Sequence, residues 1–198
     1  MNNLLILPNQ LFESKYFPDD IENIILYEHP QYFTKYNFNK KKLVLHRASM
    51  KFYQKKLEKE GFNVKYIEYN KKLINKGYIM FDPVDKIKMK PKQLLETPNF
   101  LLTKEDYETF RKTTDKFFFT SFYNFGKKIN DIIPTIKSQD KQNRQRMPKN
   151  ISIPDIPKHS KEEKPFIEDA IKYIETHFHN NYGNTDNFWC PISHKNTK

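Results

Sequence analysis

Apolar residues in the first hundred positions fall into short runs separated by a stretch of helical spacing. Leu4, Leu5, Ile6 and Leu7 form a continuous run halted by Pro8, and Asn23, Ile24, Ile25, Leu26 and Tyr27 form a second run ended by Pro30. Runs that are apolar on both faces are what a parallel-sheet strand covered from both sides requires. Across residues 39–60 the period becomes that of a helix. Leu43, His46, Met50, Tyr53 and Leu57 share one side, while Arg47, Lys51, Lys55 and Lys59 step along the other as a solvated face, and Gly61 supplies the C-cap. Residues 62–69 alternate as a third strand, residues 78–81 read as a fourth, and residues 99–102, after Pro98, as a fifth. Strands alternating with helix in this order predict an α/β fold, a Rossmann-like doubly wound parallel sheet, over residues 1–103.

The pattern changes at Thr103. Thr103-x-x-Asp106 is a capping-box variant that opens a helix, and a dense aromatic stretch follows over residues 117–125. Lys127, Lys128, Lys137, Lys141, Arg144, Arg146 and Lys149 then accumulate against Asp131 and Asp140, as in an extended basic linker. Pro148, Pro154, Pro157 and Pro165 punctuate the next stretch, and Pro165 starts a helix running to about His179. Residues 104–198 therefore read as a helical and extended, basic linker region behind the α/β domain. No internal repeat is present.

Composition narrows the chemistry. With 198 residues and 37% apolar content, one core plus an appendage is expected rather than a single domain using every residue. The 17 Phe and 12 Tyr offset the low aliphatic content, and only four Gly argue against a glycine-rich phosphate loop. A formal charge of +11 suits contact with a polyanion such as DNA but does not define a fold. Cys190 is the sole cysteine, which excludes an intramolecular disulfide and any cluster held by four thiolates of this chain. The N-terminal apolar run has no cationic region before it and is too short for a signal sequence or a membrane span. The expectation is a soluble intracellular protein, cytoplasmic or nuclear, not secreted and without a membrane partner. His177-x-His179 with Cys190-x-x-x-His194 matches no established zinc spacing, and no metal site is assigned. His46 reads as a core histidine of the apolar stripe.

Five short motifs carry a resemblance. They are Leu7-Pro8-Asn9-Gln10-Leu11 after the first strand; Glu28 followed by the lysine-rich helix ending in Ala48-Ser49-Met50-Lys51-Phe52; and the aromatic helix that closes on Gly126-Lys127-Lys128. The other two are Ser138-Gln139-Asp140-x-x-Asn143-Arg144 and, near the end, Phe188-x-x-Pro191-Ile192-Ser193. In order and approximate spacing they resemble the N-terminal part of the cryptochrome/photolyase-related family of the iron-sulfur bacterial type. Pro8 and Asn9 stand where the family has Gly-Asp, and Pro134-Thr135-Ile136-Lys137 replaces its Gly-Gly-Lys-Trp.

The resemblance implies an antenna-type α/β domain placed before a helical FAD domain, which this chain does not contain on that reading. FAD and an iron-sulfur cluster are accordingly not expected here, and the chain alone is expected to be inactive in photorepair. The resemblance further implies a pocket for a lumazine-type antenna chromophore at the carboxyl ends of the strands, where open α/β sheets bind ligands. Asn9, Gln10, Glu28 and Leu43 would line it, and Leu43→Trp and Glu28→Ala are expected to leave the fold standing. Lys141, Asn143, Arg144 and Arg146 are candidate nucleic-acid contacts. Three roles follow: an antenna or DNA-contacting half of a split photolyase with a separately encoded FAD-binding partner, a free-standing basic nucleic-acid-binding module, or a nonfunctional remnant.

Overall fold

A computed structural model describes residues 2–74, 77–116, 118–130, 146, 149–152, 155–156 and 158–194. Five parallel strands, β1 (Asn2–Ile6), β2 (Ile21–Tyr27), β3 (Asn63–Ile67), β4 (Tyr78–Phe81) and β5 (Gln93–Leu95), lie in the order β3-β2-β1-β4-β5. The fold is thus α/β and Rossmann-like, and the strand order reverses between β1 and β4. Alternation along the strands feeds two apolar clusters. Leu4, Ile6, Ile24, Leu26, Ile79 and Phe81 belong to one, and Leu5, Leu7, Ile25, Tyr27, Ile67 and Met80 to the other. The fifth strand is not at residues 99–102. Gln93 and Leu94 pair with Ile79 and Met80 instead, while Phe100 and Leu101 are exposed. A three-residue edge strand is too short to carry a period, which is why the apolar tetrad after Pro98 drew the assignment.

A short helix, α1 (Pro30–Phe33), begins at His29, whose Nδ1 accepts from the Gln31 backbone N–H. The long helix α2 (Lys40–Lys59) starts at Asn39, whose side chain accepts from the Lys41 N–H, and ends ahead of Gly61 at φ +96°. That left-handed backbone favours glycine. Two further helices, α3 (Lys104–Arg111) and α4 (Phe119–Ile129), follow, and the last is α5 (Lys164–His177). The reciprocal capping box predicted at Thr103 and Asp106 is present.

Two compact units divide the chain. One takes in Met1–Thr97 and Ile156–Lys198, and the other Pro98–Asp155. Residues 158–194, read from the sequence as part of the linker region, therefore pack with the sheet: Ile167, Ala170 and Ile174 of α5 join Leu43, Val44 and Ala48 of α2 in one cluster. The start of α2 is fixed by the same return. The Lys40 N–H donates to the Tyr182 carbonyl, and a Cβ on Gly183, itself at φ +82°, would lie 2.5 Å from the Asn39 side-chain nitrogen. Because α5 covers its flank, α2 is apolar on more than one side, and the solvated face expected to include Arg47 does not. Arg47 is 5% exposed.

His46 packs against the rings of Tyr32 and Phe33, each centroid 6.0 Å away, as a core histidine should. Its Nε2 is buried, and burial first, then the Lys42 charge, lower its pKa to about 4. A folded pKa below the unfolded value means that the unfolded chain takes up the proton first. Stability held above pH 6.5 is therefore lost as pH falls towards 4, by up to about 3 kcal/mol. Urea unfolding at pH 7 and pH 4.5 should show that loss, and His46→Phe should flatten it.

Candidate functional site

At the carboxyl edge of the sheet the chain turns at Pro8. Asn9 is exposed and reaches the Pro83 carbonyl beyond β4 at 3.4 Å, so it bridges the two strands between which the order reverses. Tyr32 lies nearby and donates to Asp85 Oδ2 at 2.8 Å. Gln10, 1% exposed, is a tie rather than a ligand group: its Nε2 donates to the Phe81 carbonyl at 2.9 Å and its Oε1 accepts from the Leu7 N–H.

Glu28 follows β2 and is fully buried. Its Oε1 accepts from Arg47 Nη1 at 2.8 Å and from the Tyr66 hydroxyl, and its Oε2 from the Tyr69 N–H at 3.1 Å. Arg47 Nη2 reaches Glu68 at 3.0 Å, and the guanidinium lies 3.3 Å from the ring centroid of Tyr173 on α5. Burial, then the Glu28 carboxylate, push the Tyr66 phenol well above its ordinary pKa, so it stays protonated and donates. A carboxylate so supplied is a structural centre. Leu43 is fully buried among Val44, Ala48 and α5. Gln10, Glu28 and Leu43, three of the four residues expected around a lumazine-type chromophore, are thus buried against partners within the protein. Asn9 alone is exposed.

The helix pair α3–α4 separates its aromatics by face. Phe110 of α3 is buried against Phe122 and Phe125 of α4, with ring centroids at 5.2 and 5.3 Å. Gly126, on the same face, lets Leu102 approach so closely that a Cβ would meet it at 3.0 Å. Phe119, Tyr123 and Lys127 recur every four residues along a second stripe. The Phe119 and Tyr123 rings lie 6.3 Å apart and 15° from parallel, 75% and 51% exposed, and the Lys127 ammonium is 5.1 Å from the Tyr123 centroid. The aromatic stretch was visible in the sequence, but this stripe was not singled out there. Spacing four residues apart, ending on a lysine, is the signal that would have found it. Of the predicted nucleic-acid contacts, Arg146 is exposed, and Lys141, Asn143 and Arg144 lie outside the described residues.

Among the described residues no three His, Cys, Asp or Glu side chains gather to hold a metal ion, and no helix is long and apolar enough to cross a membrane. Sheet order, crossover helix and the reversal beside β1 place the molecule among doubly wound α/β proteins. The chain belongs to the deoxyribodipyrimidine photo-lyase-related protein family, whose model matches residues 4–82 and 81–190. It is also 31% identical over 192 residues to an uncharacterized protein, R852, of Acanthamoeba polyphaga mimivirus, a match covering 77% of this chain and 98% of that protein.

Proposed function

We propose that this photolyase-related chain contacts single-stranded nucleic acid through the outer stripe of α4 and the basic residues that follow it. The observation that carries the reading is the parallel, exposed Phe119–Tyr123 pair with Lys127 on the same stripe. Unpaired bases stack on exposed rings at about 1–3 kcal/mol each, and adjacent lysines neutralise phosphates. The net charge of +11 and the basic residues of the sequence from Lys127 to Lys149, among them Lys141, Arg144 and Arg146 beside the amide of Asn143, supply phosphate-contacting groups in the sequence that follows the stripe.

Fluorescence anisotropy with a labelled oligonucleotide, single-stranded or in duplex form, tests this over a range of salt. Affinity should fall linearly on a log–log plot against salt, and Lys127→Ala should reduce the slope by roughly one. Tyr123→Ala should weaken single-strand binding roughly 5- to 150-fold. The double change Arg144→Glu with Arg146→Glu should lower affinity for every sequence alike. Binding indifferent to salt and to Tyr123→Ala would sink the reading. Asn9 and the Tyr32–Asp85 pair at the strand reversal favour a rival, an antenna role in which a lumazine sits over the sheet edge. Saturable quenching of 6,7-dimethyl-8-ribityllumazine fluorescence, lost in Asn9→Ala, would favour that role instead.

A further inference from the structure

The returning C-terminal residues leave a cavity of about 330 Å³ against the flank of α2. Leu11, Phe52, Tyr53 and Ile192 give it apolar walls, and polar groups converge on it from Ser49 and Lys56 of α2 and from Ser160, Glu162, Ser193 and His194 of the return. A size of this order, apolar walls and a few convergent polar groups are the usual make-up of a small-molecule site. Ser49 donates its hydroxyl proton to the Leu45 carbonyl at 2.6 Å, which leaves its oxygen lone pairs to accept from a ligand amine. A second recess of about 200 Å³ adjoins the first and shares Phe52, Lys56 and Glu162 with it, and its remaining walls are Lys55, Lys59 and Phe166. Phe166 meets Phe52 edge-on at 5.5 Å, so the two recesses share an aromatic floor.

The order of chemistries along this groove is specific. An apolar slot with a hydroxyl acceptor comes first, then the Glu162 carboxylate at the junction, then three lysines. We infer that the groove between α2 and the C-terminal return binds a purine nucleoside monophosphate. The base enters the slot beside Phe52 and Ile192 and gives its exocyclic amine to Ser49. The ribose hydroxyls donate to Glu162, and the phosphate lies among Lys55, Lys56 and Lys59. Lys55, Lys56 and Lys59 stand against Glu162, and Lys56 also reaches Glu60 at 3.7 Å, which leaves an excess of positive charge for a phosphate. Lysines near a helix C-terminus also complement the helix dipole, but that role does not require Phe52, Glu162 and Phe166 beside them.

Isothermal titration of the full chain with AMP, adenosine and inorganic phosphate tests the assignment. AMP should bind at least tenfold more tightly than either adenosine or phosphate. Lys55→Glu, which lines only the second recess, should remove that advantage while leaving adenosine within twofold, and Ser49→Tyr, by filling the slot, should abolish both. Lys59→Glu, at an exposed position, repeats the charge test without touching the core and should weaken AMP at least threefold. Tyr123→Ala should change nothing, which separates this site from the α4 stripe. Absence of AMP binding at millimolar ligand, or equal affinity for AMP and phosphate, would overturn the proposal.

Discussion

Glu28→Ala and Arg47→Ala should each destabilise the α/β unit by about 3–5 kcal/mol, because removing either partner leaves the other charge buried and unpaired. On a chain of this size that corresponds to a fall in melting temperature of roughly 6–20 °C. The sequence suggested that Glu28→Ala would leave the fold standing as a change in a ligand pocket. The geometry reverses this, since Glu28 takes Arg47, Tyr66 and the Tyr69 N–H at once. Replacing both partners together, Glu28→Leu with Arg47→Met, should recover most of the loss, because an apolar pair does not bear the desolvation of the ions. Arg47→Lys should recover little, as one ammonium cannot span Glu28 and Glu68 and lie flat on Tyr173. Chemical denaturation of the four variants checks the set. A single variant that unfolds like the parent would show that the pair is not the centre described.

Phe110→Ala should cost the α3–α4 pair about 3–5 kcal/mol, since the ring fills the space between Phe122 and Phe125 and leaves a cavity behind when removed. Amide exchange should then lose protection along α3 and α4, and single-strand binding should fall with it. Phe119→Ala, on the outer stripe of the same helix, should stay within about 0.5 kcal/mol of the parent in stability. Equal stability effects from the two substitutions would mean that the faces of α4 are not distinct.

What could be read in advance follows the physics of each signal. β1, β2 and α2 were legible because Pro8, Pro30 and Gly61 bound them and their patterns are strong. Arg47 was not, because a lysine- and arginine-bearing helix face looks solvated until something covers it, and what covers it is α5, more than a hundred residues later. For α5 the sequence marked a start at Pro165 but not what the helix packs against. Gln10 drew a ligand role because amides suit heterocycles, yet the same amide serves equally to tie a turn to the end of a neighbouring strand. Asn9 remains exposed as a binding residue must be. At α4 the sequence held the aromatic content, and only the presence of Phe110 opposite sorts it into an inner and an outer set.

The chain leaves the α/β unit at Thr97 and rejoins it at Ile156. During synthesis, the sheet and α2 therefore emerge from the ribosome well before the residues that complete their core. Ile167, Ala170, Ile174, Phe178, Phe188 and Ile192 arrive last, and until then Leu43, Val44 and the Glu28–Arg47 pair lack one of their walls. Contacts so distant in sequence slow folding. The nascent chain must hold an incomplete, aromatic-rich surface for the time taken to translate residues 98–192. A cell making this protein would thus need a chaperone most at a late stage of translation, and a stop codon anywhere before α5 would release a sheet whose α2 flank stays uncovered.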